Sequence, residues 1–136
     1  MNNLYARAVF FVADAEASLR FYTEQLGFSV DWKSPPGPPT YVFQVSLFGF
    51  ELILNQVDDG IRDRAGHGRV YIGLEDDQIE PVLQHIAAKG IQTERIHWGQ
   101  PTLVIRDLDQ NELFFWDWPS KRQPAAELGE VAESKQ

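Results

Sequence analysis

The sequence contains one pattern of predicted structural elements twice, and this repeat limits the possible folds more than any single motif. Residues 9–14 read Val-Phe-Phe-Val-Ala-Asp and align with residues 71–76, which read Tyr-Ile-Gly-Leu-Glu-Asp. Residues 26–28 (Leu-Gly-Phe) align at nearly the same spacing with residues 89–91 (Lys-Gly-Ile). Self-similarity at one fixed spacing is typical of an internal repeat. We therefore predict two modules of one design.

A short amphipathic helix is predicted to follow the first strand of each module. Asp14 and Asp76 end these strands, where a carboxylate can accept hydrogen bonds from the free N–H groups of a first helical turn. Pro81 fits only within the first turn of a helix, because it lacks an N–H donor and its ring crowds the preceding turn. This residue places the start of the second helix near Asp77.

Each helix is predicted to close at a glycine and to be followed by three strands. Gly27 and Gly90 stand where a helix ends through a left-handed residue, a conformation that glycine adopts at least cost. The proline-rich residues 33–39 predict a loop. Each half therefore reads βαβββ, which predicts an α+β fold of two tandem βαβββ modules. Aromatic and β-branched residues indicate the strands at 28–32, 41–47 and 50–55, then at 91–96, 102–106 and 113–118.

The predicted organisation is a single domain of 136 residues built from both modules. The first module spans residues 4–57, a charged and glycine-containing connector spans 58–68, and the second module spans 69–118. The polar residues 119–136 contain few apolar side chains and are predicted to form a mobile tail. A half-chain alone would bury too little surface for stability, so we expect the modules to pack together or to swap.

Charge and composition exclude several classes of function. The net charge of −8 disfavours nucleic acid, since phosphate binding requires a cationic surface. No apolar run reaches the roughly 20 residues of a membrane span, and no signal peptide opens the chain. The absence of cysteine excludes disulfides and thiolate metal sites. We expect a cytoplasmic protein that binds neither nucleic acid nor membrane.

Two local motifs carry a resemblance to a known family. Residues 12–22 contain Ser-Leu-Arg-Phe-Tyr and are followed by Leu-Gly-Phe at 26–28, while residues 107–113 read Asp-Leu-Asp-Gln-Asn-Glu-Leu. The last segment is similar to the Asp-Pro-Asp-Gly-Asn turn of the vicinal oxygen chelate superfamily of glyoxalases, extradiol dioxygenases and bleomycin-resistance proteins. The resemblance covers residues 4–118. It implies two sheets curled around a shared cleft, helices outside, and a homodimer, swapped or unswapped.

The same resemblance implies where a metal would bind. Metal-dependent members of the family place four ligands in the cleft, one on the first and one on the last strand of each module. The matching positions here are Arg7, Glu51, Arg69 and Phe114. A guanidinium group stays protonated and offers no lone pair, so only Glu51 could coordinate a cation. Because such sites use three or four ligands, we predict no metal and no cofactor.

His67 leaves one alternative open. It has the same strand parity as Arg69, so its imidazole could reach the cleft and share a residual metal with Glu51. Gly66 and Gly68 flank it, which favours a flexible loop instead.

Strand alternation predicts a cleft with aromatic walls and a few polar groups. Such a surface is typical of a small-molecule pocket. In the alternative interpretation, Arg7, Arg69 and Glu51 form an internal ion network and the aromatic residues are ordinary core. The predicted ligand-binding residues are Arg7, Phe11, Glu51, Asn55, Arg69, Tyr71, His97, Trp98, Phe114 and Trp116.

A Trp-Gly pair makes the resemblance to bleomycin-resistance proteins more specific. Trp98-Gly99 precedes Asp107, and bleomycin-resistance proteins have a similar pair at a like spacing, where the indole stacks on the drug. The resemblance implies this role for Trp98, with His97 beside it in a loop. Trp98 could instead anchor its loop or a dimer contact.

The leading hypothesis is metal-independent binding of a small, partly aromatic molecule, as in antibiotic resistance by drug sequestration. The first alternative is a metal-dependent glyoxalase, lyase or dioxygenase with displaced ligands. A metal-free lyase or isomerase would use Glu51 with Tyr71 or His97, and a decayed scaffold would bind nothing. The ligand's identity and charge stay open, because the acidic surface favours a cation and the arginines favour a carboxylate.

Overall fold

The computed structural model describes residues 4–116. They divide into two compact units, of which the first comprises residues 4–69 with 107–111 and the second residues 70–106 with 112–116. The tail predicted at 119–136 and the predicted end of the last strand at Trp118 lie outside the described residues.

The first unit contains a mixed four-stranded sheet with one helix. The strands lie in the order β1-β4-β3-β2, with β1 parallel to β4 and the other neighbours antiparallel. A 3-10 segment at Asp59–Arg64 follows β4. The elements are β1 (Ala8–Val12), α1 (Ala15–Arg20, continued by a π-helical turn at Phe21–Gln25), β2 (Ser29–Ser34), β3 (Val42–Leu47) and β4 (Phe50–Gln56).

The second unit repeats this plan. Its strands lie in the order β5-β8-β7-β6, the same permutation as in the first sheet. The shared order confirms the predicted α+β fold of two βαβββ modules. The elements are β5 (Arg69–Ile72), α2 (Asp76–Lys89), β6 (Glu94–His97), β7 (Pro101–Arg106) and β8 (Glu112–Trp116).

Strand alternation gives the first sheet two different faces. Side chains that are apolar and fully buried occupy one face, and α1 packs against β3 and β4. The other face, here called the far face, carries the intervening residues of each strand and holds most of the polar groups discussed below. The buried set includes Phe10, Val12, Phe43, Val45, Leu52 and Leu54, and the far face includes Val9, Phe11, Gln44, Ser46, Glu51 and Ile53.

Three of the four helix ends have the capping residue that the sequence predicts. Asp14 accepts a hydrogen bond from the N–H of Ala17 at 3.1 Å, as expected of an N-cap. Gly27 and Gly90 have φ angles of +81° and +65°, so both helices close through left-handed glycines as predicted.

The start of α2 differs from the prediction. Its N-cap is Glu75 rather than Asp76, and the Gln78 side chain accepts a hydrogen bond from the Glu75 N–H at 2.7 Å. Pro81 is the sixth residue of the helix, in its second turn. The position is tolerated because Pro81 removes only the N–H that would reach Asp77, and both residues are exposed to water.

Two strand boundaries also differ. Lys33 and Ser34 belong to β2, because their backbones pair with Phe43 and Val42 of β3, so the loop begins only at Pro35. The strand predicted from residue 91 begins at Glu94 instead. The N–H of Ile91 donates to the carbonyl of Ile86 at 3.0 Å, so Ile91 completes the end of α2.

The turn at residues 107–111, here called the hub, contains two buried side chains that make hydrogen bonds to other parts of the first unit. These are Asp107 and Asn111. Asn111 is fully buried, and its Nδ2 donates to the Phe11 carbonyl and to Asp107 Oδ2, each at 3.0 Å. Its Oδ1 accepts from the Gly68 N–H at 2.8 Å. The Tyr22 hydroxyl donates to Asp107 Oδ2 at 2.9 Å. The turn that resembles the family motif therefore connects β1, Tyr22 and the connector residue Gly68.

We expect the Tyr22 hydroxyl to make the protein sensitive to alkali. Burial, followed by the Asp107 charge, raises the pKa of Tyr22 well above 10.0, whereas an unfolded tyrosine titrates near that value. Above about pH 10 the unfolded state loses this proton first, so the free energy of unfolding falls by up to about 1.4 kcal/mol per pH unit. Urea unfolding between about pH 8 and pH 11 should show a shallower fall for Tyr22→Phe. A slope in Tyr22→Phe equal to that of the wild type would contradict the prediction.

Gly66→Ala is expected to destabilise the connector strongly. A Cβ at Gly66 would lie 2.0 Å from the Asp109 carbonyl oxygen, and the residue has a φ of +86°. Left-handed strain and overpacking together should cost about 2 to 4 kcal/mol of unfolding free energy. Gly60→Ala is the matched control, because an added Cβ there meets no atom within 4 Å. Equal midpoints for the two variants in urea denaturation would contradict the close packing of the turn on the connector.

Candidate functional site

The structure brings two predicted site residues together as an ion pair on the far face of the first sheet. Arg7 immediately precedes β1, and its Nε donates to Glu51 Oε1 at 2.6 Å. The Arg7 guanidinium also lies 4.5 Å from the centre of the Tyr5 ring. The hydrogen bond with Glu51 is the largest cause that raises the pKa of Arg7. Glu51 is therefore already engaged by a permanent cation.

These residues do not fit the metal site that the resemblance implies. Of the four matching positions, only Glu51 offers a donor oxygen, and Arg7 holds it. Arg69 is exposed at the start of β5, and Phe114 is apolar. Within residues 4–116, no three His, Asp or Glu side chains are grouped so as to bind a metal ion, so His67 and Glu51 have no third ligand.

A cavity of about 420 Å³ lies beside β1 in the first unit. Phe11 contributes a ring to it, and the Arg64 guanidinium sits 4.4 Å from the centre of that ring. His67 is exposed at this cavity rather than directed to a ligand cluster. Asp63 and Arg64 lie in the connector predicted at 58–68, and their position shortly before His67 is the sequence signal that points to them. The lining residues are Val9, Phe11, Asp63, Arg64, His67 and Gly68.

A polar group on the far face was missed from the sequence. Gln44 Nε2 donates to Asp31 Oδ2 at 2.8 Å, and Ser46 Oγ donates to Asp31 Oδ1 at 3.0 Å. Alternation in β3 places Gln44 and Ser46 opposite the core residues and could have indicated them. Asn55, a predicted site residue, is half-buried in β4 and in register with Phe11.

The second unit holds an aromatic cluster, defined as Tyr71, Trp98 and Phe114. The Trp98 and Phe114 rings are 5.0 Å apart with an interplanar angle of 87°, and Tyr71 lies 6.1 Å from Trp98. Phe114 is only 1% exposed, whereas Trp98 is 40% and Tyr71 42% exposed. Burial raises the pKa of Tyr71 above 10.0, so its phenol stays protonated at neutral pH. The cluster therefore combines one buried ring with two side chains that are each about two-fifths exposed.

The remaining predicted residues of this unit lie on its strands. His97 is the last residue of β6, half-buried and paired with Pro101, so its predicted loop position is wrong. The turn begins at Trp98, whose N–H donates to the Gln100 carbonyl at 3.0 Å. The Trp116 backbone ends β8 opposite Thr102.

A second ion network lies on the sheet face that carries Phe114. Arg106 Nη1 contacts Glu94 Oε1 at 2.5 Å, and its Nη2 lies 3.1 Å from Glu112 Oε2. These hydrogen bonds, that to Glu94 first, raise the pKa of Arg106. Both units therefore hold an arginine paired with a carboxylate of a β-strand, Glu51 in the first and Glu94 with Glu112 in the second. From the sequence, such a network was considered only for Arg7, Arg69 and Glu51.

The sequence profile of the Glyoxalase/Bleomycin resistance protein/Dioxygenase superfamily matches residues 5–115. The chain belongs to this superfamily. A search of curated protein sequences found no match.

Solved structures of other superfamily members share the fold. A glyoxalase/bleomycin resistance protein from Catenulispora acidiphila has a TM-score of 0.63 and 22% identity, with 83% of this chain and 96% of that chain covered. The bleomycin-binding protein from Streptomyces verticillus, complexed with copper(II)-bleomycin, has a TM-score of 0.60 and 16% identity, covering 85% and 98%. Lactoylglutathione lyase from Agrobacterium tumefaciens has a TM-score of 0.56 and 16% identity, covering 85% and 94%. At these identities the comparison shows the shared fold only, so the activity has to be inferred from the residues of the site.

Neither helix in residues 4–116 has the length and apolar character that crossing a membrane requires.

Proposed function

We propose that this superfamily member binds a small, partly aromatic molecule without a metal ion. The observation that carries the proposal is the aromatic cluster of the second unit. Phe114 holds the Trp98 ring edge-to-face, so the indole keeps its orientation while two-fifths of the side chain stays accessible. Offset stacking on such a ring contributes about 0.5 to 1.5 kcal/mol beyond the area buried. A planar ligand is the chemistry that this surface fits.

The residue chemistry supports binding rather than catalysis. Glu51 is the carboxylate at a position used by metal ligands in the family, and Arg7 engages it. A general base needs a hydrogen-bond position open to the proton that it takes, and the Glu51 carboxylate is already hydrogen-bonded to Arg7 at 2.6 Å. Sequestration alone can protect a cell from a drug. The Streptomyces verticillus neighbour, solved with copper(II)-bleomycin, makes bleomycin the natural first ligand to test.

The competing function is a metal-dependent lyase, glyoxalase or dioxygenase. The likeness to lactoylglutathione lyase supports it at the level of the fold. It requires ligands beyond the four matching positions, since among residues 4–116 no suitable group of His, Asp and Glu is present. Stoichiometric Ni, Zn, Fe or Mn in the purified protein would favour this function over ours.

A fluorescence screen tests the proposal. Bleomycin, other aromatic antibiotics and aromatic metabolites are titrated into the metal-stripped protein, and tryptophan emission is followed. We expect saturable quenching by at least one planar compound, because Trp98 is accessible. No saturable change with any compound would favour the decayed scaffold.

The homodimer is a further part of the proposal. The resemblance implies it, and β2 supports it as an edge strand with all six residues exposed. Light scattering on the full chain should give twice the mass of the 15.5 kDa monomer. A monomer mass at micromolar concentration would contradict this part alone. The cytoplasmic location and the lack of nucleic-acid binding stay predictions.

A further inference from the structure

The accessible indole of Trp98 is carried by a tight hairpin loop of the second unit. The last backbone pair of β6 and β7 is His97 with Pro101, so the loop consists of residues 98–100. Gly99 has a φ angle of +73°, a left-handed conformation that is common in short hairpin loops and that glycine adopts at least cost. Pro101 has no backbone N–H, so it offers no donor that could close the base of the loop. The shape of the loop therefore depends on hydrogen bonds made by other residues.

A buried threonine supplies such a hydrogen bond. The Thr102 hydroxyl, in β7, donates to the Gln100 carbonyl at 2.8 Å. The same carbonyl accepts the Trp98 N–H at 3.0 Å. A carbonyl oxygen has two lone pairs, and these two donors occupy both of them. The backbone of Trp98 is thus connected, through one oxygen atom, to a side chain that is fully buried.

Aromatic contacts hold the indole ring itself. The Trp98 ring meets Phe114 edge-to-face at 5.0 Å, and Tyr71 lies 6.1 Å away. Such contacts are short-ranged, so they persist only while the backbone keeps the indole in place. A change in the loop would therefore move the indole relative to Phe114, which is itself fixed in the core. The orientation of the accessible indole depends on the loop as well as on the rings.

We propose that Thr102 is a positioning residue for Trp98. Its hydroxyl holds the Gln100 carbonyl, this carbonyl holds the Trp98 backbone, and the indole is kept against Phe114 before a ligand arrives. A binding surface that is ordered in advance loses less affinity to the ordering of its side chains. The inference rests on the proposed function, since the position of Trp98 affects binding only where the aromatic cluster is the binding site.

The first unit contains a matched threonine. Thr40 is 1% exposed, lies shortly before β3, and donates from its hydroxyl to the Pro35 carbonyl at 3.0 Å. β3 and β7 occupy the same place in the two sheets. Thr40 and Thr102 therefore make the same kind of bond from a buried hydroxyl to a loop carbonyl, and only the loop of Thr102 carries Trp98. Thr40→Val is the control for a purely structural loss.

Fluorine NMR tests this role without a ligand. The full chain is labelled with fluorotryptophan, and the Trp98 signal among those of the four tryptophans is assigned by its loss in Trp98→Phe. Thr102→Val keeps the shape of the side chain and removes the hydroxyl. We expect its Trp98 signal to broaden or to move toward that of free fluorotryptophan, because the Phe114 and Tyr71 rings then shift it less. Thr102→Ser, which keeps the hydroxyl, and Thr40→Val should leave the signal at its wild-type position.

Three results would overturn the proposal. The first is an unchanged Trp98 signal in Thr102→Val, and the second is an equal change in Thr102→Ser or in Thr40→Val. The third uses Gly99→Ala, which alters the loop at its exposed tip, where an added Cβ meets no atom within 4 Å and only the left-handed φ opposes it. We expect this variant to move the Trp98 signal, and an unmoved signal would show that the loop does not set the position of the indole. This last test does not require Thr102→Val to fold.

Bleomycin titrations connect the position of the indole to affinity. By isothermal titration calorimetry, Thr102→Val should raise the Kd for bleomycin about three- to tenfold, the factor that corresponds to one neutral hydrogen bond. Thr102→Ser and Thr40→Val should keep the wild-type Kd, and an unchanged Kd in Thr102→Val would contradict the positioning role. Absence of binding in the wild type would count against the proposed function alone, because the fluorine signals decide independently whether Thr102 holds Trp98.

Discussion

Asn111→Ala should lower the free energy of unfolding by about 3 to 5 kcal/mol, a large part of the 5 to 15 kcal/mol typical of a domain. The substitution removes one donor group and one acceptor from a fully buried position. It leaves the Gly68 N–H without its partner and takes one hydrogen bond each from Asp107 and from the Phe11 carbonyl, which keeps the Gly66 N–H as a donor. A buried group left unpaired costs about 1 to 3 kcal/mol, and each further hydrogen bond lost costs about 0.5 to 1.5 kcal/mol. Urea denaturation monitored by circular dichroism measures the loss.

A neighbour in the same turn provides the control. Leu108 is 53% exposed, so Leu108→Ala should change stability by less than about 0.5 kcal/mol. A loss below about 1 kcal/mol in Asn111→Ala would contradict the hub, because solvent or relaxation would then be replacing its hydrogen bonds. Such a result would not affect the fold assignment, but it would show that the turn contributes little to stability.

Trp98→Ala should weaken binding of any compound found in the fluorescence screen by roughly thirtyfold. Interface tryptophans that act as stacking platforms typically contribute about 2 kcal/mol or more, which corresponds to that factor in Kd. Trp98→Phe keeps a ring on the Phe114 support and should lose less. Isothermal titration calorimetry measures both variants without relying on the indole that has been removed.

Tyr41→Ala is the matched control for Trp98→Ala. Tyr41 is an exposed aromatic residue of the first unit, 48% exposed, so its removal tests whether any accessible ring affects binding. We expect the wild-type Kd for this variant. Equal weakening by both substitutions would indicate a nonspecific aromatic effect, and unchanged binding in Trp98→Ala would place the ligand away from the cluster.

The sequence repeat predicted most of the fold because the features that it marks are set by neighbouring residues in the chain. Asp14 caps α1, Gly27 and Gly90 close the helices, and the two sheets share one strand order. Each of these features depends on the preference of one residue or on alternation within one strand, which can be inferred from the sequence. The start of α2 could not be placed to the residue, because Glu75 with Gln78 offered a cap as effective as the expected Asp76.

The candidate site was less predictable because it depends on pairing between distant strands. Strand alternation predicted that Glu51 and Arg7 lie on the same side of the first sheet. Their 2.6 Å contact follows from the parallel register of β1 and β4, which alternation within one strand does not give. The bulge at Asp31 shifts alternation by one residue, and a regular strand pattern gives no sign of it. The role of Asn111 in joining β1 to the connector was likewise outside the reach of local patterns.

Ligand binding measured before and after removal of metal ions tests the central claim most directly. A planar compound from the screen is titrated into untreated protein, into protein stripped with a chelator, and into stripped protein supplied with Ni, Zn, Fe or Mn. Because Glu51 is the sole donor at the four matching positions and is held by Arg7, the same Kd is predicted in all three samples. Loss of binding on chelation, restored by one of these metals, would contradict the account.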